Sequence, residues 1–229
     1  MDYDVIRCIP SAVPDTLRRA LLADAQSGTF QSGLKTAGEH NKSKKRNSVA
    51  SDARLQEAAN RLIGLTLAIQ DVQEFAFVQR VSVPQHYRYD VGDHYDVHLD
   101  RPLSYGIRTD LTYTLFLSSP EDYGGGELCL GMDFDFASQV KIKPAAGTLL
   151  LYDTGHPHRV AEVTSGSRHV LVGWIESQFR DAAVRGVLRN LYRVLRLIEE
   201  DNPDRDKIKL YISAGICGLT RRHSDGPIE

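Results

Sequence analysis

Apolar residues recur along this chain with two periods, and the period changes twice. Near the start, Leu17, Leu21 and Leu22 fall at helical spacing within 14–25, and Pro14 can sit in the first turn. A second helix is predicted over Asp52–Gln70, where Leu55, Ala58, Ala59, Leu62 and Leu65 share one face. From Phe75 the runs become short and alternating. Strands are predicted at 75–78 and 81–83, Pro84 ends that pair, and further strands follow at 95–99, 111–117, 127–130, 140–142, 148–152, 159–163 and 168–174. Turn residues divide them: Ser118-Ser-Pro120, Gly124-Gly-Gly126 and Pro144-Ala-Ala-Gly147. After Ser177 the helical period returns. Val184, Val187, Leu188, Leu191, Val194, Leu195 and Ile198 mark an amphipathic helix to Glu200, and a shorter one is expected over 207–219. Many short strands between helices predict an α+β chain: a double-stranded β-helix (jelly roll) core over about 80–176, with N-terminal and C-terminal helices flanking it. The expected division is a catalytic domain over 1–176 and a helical extension over 177–229 packed on it.

Composition narrows the class. The chain has 229 residues, ordinary charge content and a net charge of −2, so no global field draws it to nucleic acid or anionic lipid. Cys8, Cys129 and Cys217 are scattered, which fits a reducing compartment better than a disulfide framework. No basic-then-apolar leader opens the sequence and no apolar run reaches bilayer length, so a cytoplasmic protein is expected. Between Lys35 and Arg46 the composition turns basic. This is either a solvated surface loop or a flap that meets an acidic or polar substrate. The arginines of the helix after Ser177 (180, 185, 189, 193 and 196) read as a solvated face.

The candidate chemistry lies in Arg88-Tyr-Asp-Val-Gly-Asp-His-Tyr-Asp-Val-His-Leu-Asp100. His98 and Asp100 are two apart, so on an extended chain both point to one side. One more histidine makes the 2-His-1-carboxylate face that suits ferrous iron and leaves positions open. His158 is the candidate third ligand; His156 is the alternative two residues earlier. Arg168 follows His158 by ten residues across the turn Thr164-Ser-Gly-Ser167. If that turn closes a hairpin with a three-residue loop, both share one sheet face. An arginine there is suited to clamp a carboxylate. His86, His94 and His169 have no partner at useful spacing, Asp90, Asp93 and Asp96 read as loop solvation, and Trp174 reads as core.

The set resembles the iron(II)/2-oxoglutarate dioxygenases of the prolyl-4-hydroxylase-like branch, with its bacterial PKHD-type hydroxylases. Tyr89, Gly92, Tyr95, His98 and Asp100 match that pattern, as do Arg108-Thr-Asp110, Tyr123-Gly-Gly-Gly-Glu-Leu128, Pro144 to Tyr152, His158-Arg-Val160, Val163-Thr-Ser-Gly-Ser-Arg168, Thr36-Ala-Gly38 and Arg180-Asp181. The resemblance implies that His98, Asp100 and His158 hold Fe(II), that Arg168 takes the distal carboxylate of 2-oxoglutarate, and that Tyr89 lines the cosubstrate pocket. It implies O2 as oxidant, ascorbate as an optional accessory, and hydroxylation of an unactivated C–H in a prolyl, peptidyl or small amino-acid-derived substrate, with release of succinate and CO2. Two departures stand out. Asp153-Thr-Gly-His-Pro-His158 replaces the usual serine-rich run ending in leucine-histidine. Leu115 stands near where some relatives carry a cosubstrate-binding tyrosine, so Thr112, Tyr113 or Tyr152 would supply that contact. A cupin-like isomerase, or a metal or 2-oxoacid sensor on the same scaffold, is the alternative, and Arg168 separates it from a hydroxylase. A third reading is an interaction module acting through the basic C-terminal helix.

Overall fold

The computed structural model describes residues 2–3, 5–36 and 43–225. Parts of the basic segment 35–46 and of the Thr36-Ala-Gly38 match lie outside the described residues. Eight strands form the centre: β1 (Gln85–Tyr89), β2 (His94–His98), β3 (Leu111–Phe116), β4 (Leu128–Gly131), β5 (Gln139–Ile142), β6 (Leu149–Asp153), β7 (His158–Val160) and β8 (Arg168–Ser177). They divide between two facing antiparallel sheets, switching sheet at each step except the β4–β5 hairpin. One runs β6-β3-β8-β1 and the other β5-β4-β7-β2, a jelly roll. Strand Ile6–Ile9 extends the first sheet beside β6, and Ser48–Ala50 then Phe30–Ser32 extend it beside β1.

Both faces of the first sheet are covered, so its strands read as apolar runs on either parity. On β3, Leu111, Tyr113 and Leu115 face a helical layer. That layer is α1 (Asp15–Ser27), α2 (Ala53–Leu67) and α3 (Gln70–Ala76). Phe116 joins Leu150, Tyr152 and Val170 between the sheets, against Leu128, Leu130 and Val160 of the second sheet. Two helices follow the core: α4 (Ala182–Leu197) and α5 (Arg205–His223). No helix among the described residues is long and apolar enough to cross a membrane.

Four expectations need correction. The strand expected at 75–78 begins only at Val78, because Val72, Phe75 and Ala76 bury one helical face and Phe77 closes α3 in the left-handed region. β1 was not expected at all. Its sequence Gln-His-Tyr-Arg-Tyr is polar by composition, yet His86 is buried on one side and Tyr87 and Tyr89 on the other. The 158–168 hairpin does not form. Residues 163–166 pair instead with Tyr123–Gly125, and β7 and β8 lie in different sheets. Finally, the arginines expected on one solvated face divide: Arg180 and Arg196 are exposed, but two turn inward. Arg185 and Arg189 are buried; Arg185 pairs with Asp153 at 2.5 Å and Arg189 lies 4.1 Å from the ring centre of Phe75.

Candidate metal centre

The last residue of β2 and the first of β7 are direct cross-strand partners, and these are His98 and His158. Their ring centres are 4.2 Å apart. Asp100, just beyond the end of β2, brings Oδ1 to 3.9 Å from Nε2 of His98 and 3.8 Å from Nε2 of His158. The three donor atoms lie within 4.8 Å of one another. The facing sheet therefore does not build the triad; one sheet edge and the loop after it do.

Each donor is fixed by a second contact. His98 Nδ1 is 2.8 Å from the Asp96 carbonyl and His158 Nδ1 is 3.0 Å from the His156 carbonyl. A carbonyl only accepts, so each Nδ1 must carry the hydrogen, and Nε2 is the ring nitrogen turned to Asp100. The carboxylate is divided similarly. Its Oδ2 accepts from Thr112 Oγ1 at 2.9 Å and from Trp174 Nε1 at 2.9 Å, leaving Oδ1 for the centre. Thr112 and Trp174 are register partners on β3 and β8, so one rung of the first sheet grips the acid of the other layer. Burial, reinforced by the neighbouring His158, brings His98 down to about 3, so it is a neutral ligand at pH 7. Burial opposes the charge on Asp100, but the two imidazoles and the two hydrogen bonds outweigh it and hold the carboxyl below its usual range. Two imidazoles that present Nε2 and one oriented carboxylate are the donor set that fits a ferrous ion.

These groups line a cavity between the sheets. Across it, Arg168 opens β8 beside its register partner Tyr89. Its guanidinium lies 5.1 Å from the ring centre of Tyr89 and 5.5 Å from that of Phe116. The side chain is only 2% exposed, its Nε has no hydrogen-bond partner, and no carboxylate among the described residues pairs with it. Arg168 and His158 thus share a cavity from facing sheets, not from one sheet face. Tyr152 and Thr114 also line the cavity, whereas Leu115 and Tyr113 turn to the helices. His156 points at the Gly131 carbonyl, 3.3 Å away, and is not in the cluster.

The family model described as the 2OG-Fe(II) oxygenase superfamily matches residues 84–176, the span from β1 to the end of β8. A PKHD-type hydroxylase of Parvibaculum lavamentivorans is 38% identical over 189 residues, 80% of this chain and 83% of that one. The chain belongs to the PKHD-type hydroxylases. As a member of that family it is a 2-oxoglutarate-dependent dioxygenase that works with iron(II), 2-oxoglutarate and O2. Solved structures share the fold of this PKHD-type hydroxylase. A prolyl-4-hydroxylase of Pseudomonas putida superposes with a TM-score of 0.54 at 21% identity, covering 75% of this chain and 92% of that one. A Trichoplax adhaerens prolyl hydroxylase, in complex with a hypoxia inducible factor oxygen degradation domain peptide fragment, gives 0.58 at 20% identity, with 75% and 83% covered.

Two residues of the site were not legible as such. Trp174 was read as core, yet its indole N–H holds Asp100 and its ring lies against Tyr105, centres 5.7 Å apart. Lys45, in the segment read as a loop, is buried and lines the cavity. Its signal would have been the parity of Lys45 and Val49 around a short strand pair, which three residues cannot declare.

Proposed function

We propose that this dioxygenase hydroxylates an unactivated C–H of a prolyl, peptidyl or small amino-acid-derived substrate, converting 2-oxoglutarate and O2 to succinate and CO2. In this reading His98, Asp100 and His158 hold the iron, and Arg168 with Tyr89 receives the distal carboxylate of 2-oxoglutarate. The catalytic domain spans 1–176 and the helices of 177–229 are an extension of it.

The observation that carries the reading is Arg168. A guanidinium buried without a counter-ion costs several kcal/mol, and its planar fork suits a carboxylate. It opens into the cavity that holds the three donors. A cupin-like isomerase or a bare metal sensor would have no use for it. When bound, the iron supplies the redox chemistry that couples O2 to the keto acid. The protein's own groups do the rest. The two carbonyl-held imidazoles and the doubly held carboxylate keep three donors on one face. Tyr89, Tyr152, Leu128, Val160 and Val172 exclude water around the cosubstrate. Tyr95 stacks on His98 with centres 3.5 Å apart and keeps that ligand in plane.

Two variants separate the roles. Fe(II) or Mn(II) with 2-oxoglutarate is expected to raise the melting temperature of the wild type. His98→Ala should lose stabilisation by both. Arg168→Met should keep the metal-dependent rise and lose the further rise on adding 2-oxoglutarate. If the further rise on adding 2-oxoglutarate survives in Arg168→Met, the cosubstrate assignment falls. Succinate released with and without candidate substrates then reads the substrate class.

A further inference from the structure

We infer that Lys45 is the anchor for a free carboxylate of the substrate, so that this enzyme acts on an amino acid or on the C-terminal residue of a peptide and not on an internal residue. The inference rests on the hydroxylase reading above and adds the chemistry of the substrate to it.

Lys45 sits where the sandwich is closed along one side. Lys45 and Arg46 pair with Tyr95 and His94 at the edge of the second sheet. Two residues later, Ser48 and Val49 pair with Arg88 and Tyr87 at the edge of the first. The segment therefore straps one sheet to the other, and the lysine points inward. Only 7% of it is exposed. Its ammonium lies 4.2 Å from the ring centre of Tyr87 and 5.0 Å from that of Tyr95, one tyrosine from each sheet. Such ring faces stabilise a cation but do not neutralise it.

Its hydrogen bonding is incomplete. Nζ donates to Thr36 Oγ1 at 2.9 Å. That hydroxyl donates onward to the Gly33 carbonyl and also accepts from Tyr87, so it is saturated. Two of the three ammonium donors have no acceptor among the described residues, and no carboxylate there pairs with it. Burial lowers Lys45 to about 8 while Asp100 holds it up, so it is still predominantly charged at pH 7.

Charge balance says what is missing. In the loaded site the ferrous ion and the 2-oxoglutarate dianion cancel. Asp100, whose field reaches Lys45, offsets one of the two buried cations, Arg168 and Lys45. Arg101 also lines the cavity but is exposed to solvent, so one buried positive charge is left uncompensated. A buried unpaired charge is costly, and one monoanionic group removes the cost. The two free N–H donors match the two oxygens of a carboxylate. Arg168 already takes the distal carboxylate of the cosubstrate, so the carboxylate that meets Lys45 belongs to the substrate.

The test uses full-length protein loaded with Mn(II) and 2-oxoglutarate, titrated by calorimetry. The probes are the twenty free L-amino acids and Ala-Ala-Xaa tripeptides with the same twenty C-terminal residues. Each is offered as the acid and as the carboxamide. At least one acid is expected to bind tenfold or more tightly than its amide, with free amino acids against tripeptides identifying the source of the carboxylate. Lys45→Gln should abolish that preference, and Lys45→Arg, which keeps the charge, should retain part of it. If no acid exceeds its amide, or the preference survives in Lys45→Gln, the inference is wrong. If Lys45→Gln instead loses 2-oxoglutarate, Lys45 serves the cosubstrate: the inference falls and the hydroxylase reading stands. If the wild type takes up no 2-oxoglutarate, both fall. Should Lys45→Gln not fold, the acid-to-amide ratio in wild type and Lys45→Arg decides alone.

Discussion

At Asp100 the two carboxylate oxygens have separate duties, and the separation depends on two side chains from the opposite sheet. Trp174→Phe keeps the ring and removes one of the two donors to Oδ2. Outer-shell donors of this kind typically change metal affinity 10- to 100-fold. Trp174→Phe is expected to weaken Mn(II) binding about 10-fold with the melting temperature of the metal-free protein little changed; an unchanged affinity would mean that Thr112 alone orients the acid. A second residue-scale device is the buried histidine pair. Ser167 Oγ donates to Asp90, so it must accept from His169 Nε2, and His169 Nδ1 must accept from His86 Nε2, 3.0 Å away. Both rings are therefore neutral. Burial, then the facing imidazole and Arg88, lowers His86 to about 3; burial and Arg88 lower His169 to about 4. The unfolded chain takes up these protons near pH 6.5 and the folded chain does not, so stability is complete above that pH and drains as pH falls toward 4. By pH 5 His86 alone should cost about 2 kcal/mol, and urea midpoints at pH 7 and pH 5 measure it. His86→Phe should flatten the difference. The cluster of His98, Asp100 and His158 was legible because its members are close in sequence or match a known spacing. Lys45, Trp174 and the histidine pair were not, since each meets ring or side-chain partners more than 40 residues away.

At the scale of the element, β8 carries the most. Its first residue is Arg168, its seventh is Trp174, and it pairs with β3, β1 and Val78–Val81. The apolar run of β8 was evident in the sequence, as was that of β3. The topology was not, because a ten-residue step from His158 to Arg168 fits a hairpin and a crossing between sheets equally well by parity. What excludes the hairpin is the claim of Tyr123–Gly125 on residues 163–166, a contact about 40 residues away. Gly173 shows how tightly β8 is held. It lies opposite Tyr113 in the register, and a Cβ there would come within 2.2 Å of the Tyr113 hydroxyl and 2.8 Å of Ser82 Oγ. Tyr113 is buried and donates to the Ser82 carbonyl at 3.3 Å, so it cannot swing aside without losing that bond. Gly173→Ala is expected to lower stability by about 1–3 kcal/mol, the usual cost of overpacking a core. Because Tyr113 faces the helices, any loss of metal affinity at a temperature where Gly173→Ala is folded would show that the strand itself had moved.

For the whole molecule, the open matter is whether the C-terminal helices lean on the jelly roll or are built into it. The amphipathic pattern of α4 was plain in the sequence, but it could not say which arginines turn inward, since a buried arginine is recognisable only by its distant partner. Arg185 is that residue. It meets Asp153 at the end of β6 at 2.5 Å and donates to the carbonyls of Phe179 and Arg180 at 2.8 and 2.9 Å. Arg108 adds a tie at the far end of α5, reaching Asp225 at 2.8 Å. Phe77 and Phe179 pack edge to face between α3 and α4, with centres 5.1 Å apart. On these ties a line drawn at 176/177 is expected to be a division in the plan of the fold and not a place where the chain can be cut. Arg185→Met would leave the Asp153 carboxylate buried without its cation and two carbonyls without their donor. Removing one partner of a buried pair costs about 3–5 kcal/mol. The double variant Asp153→Asn with Arg185→Met removes the stranded charge and should recover part of that loss, a coupling that only a direct contact produces. Urea unfolding of the wild type, both single variants and the double variant measures it. A single cooperative transition with a coupling of 1 kcal/mol or more makes the helices part of the catalytic fold. Additive losses, or a separate early transition for α4 and α5, would make them an appendage.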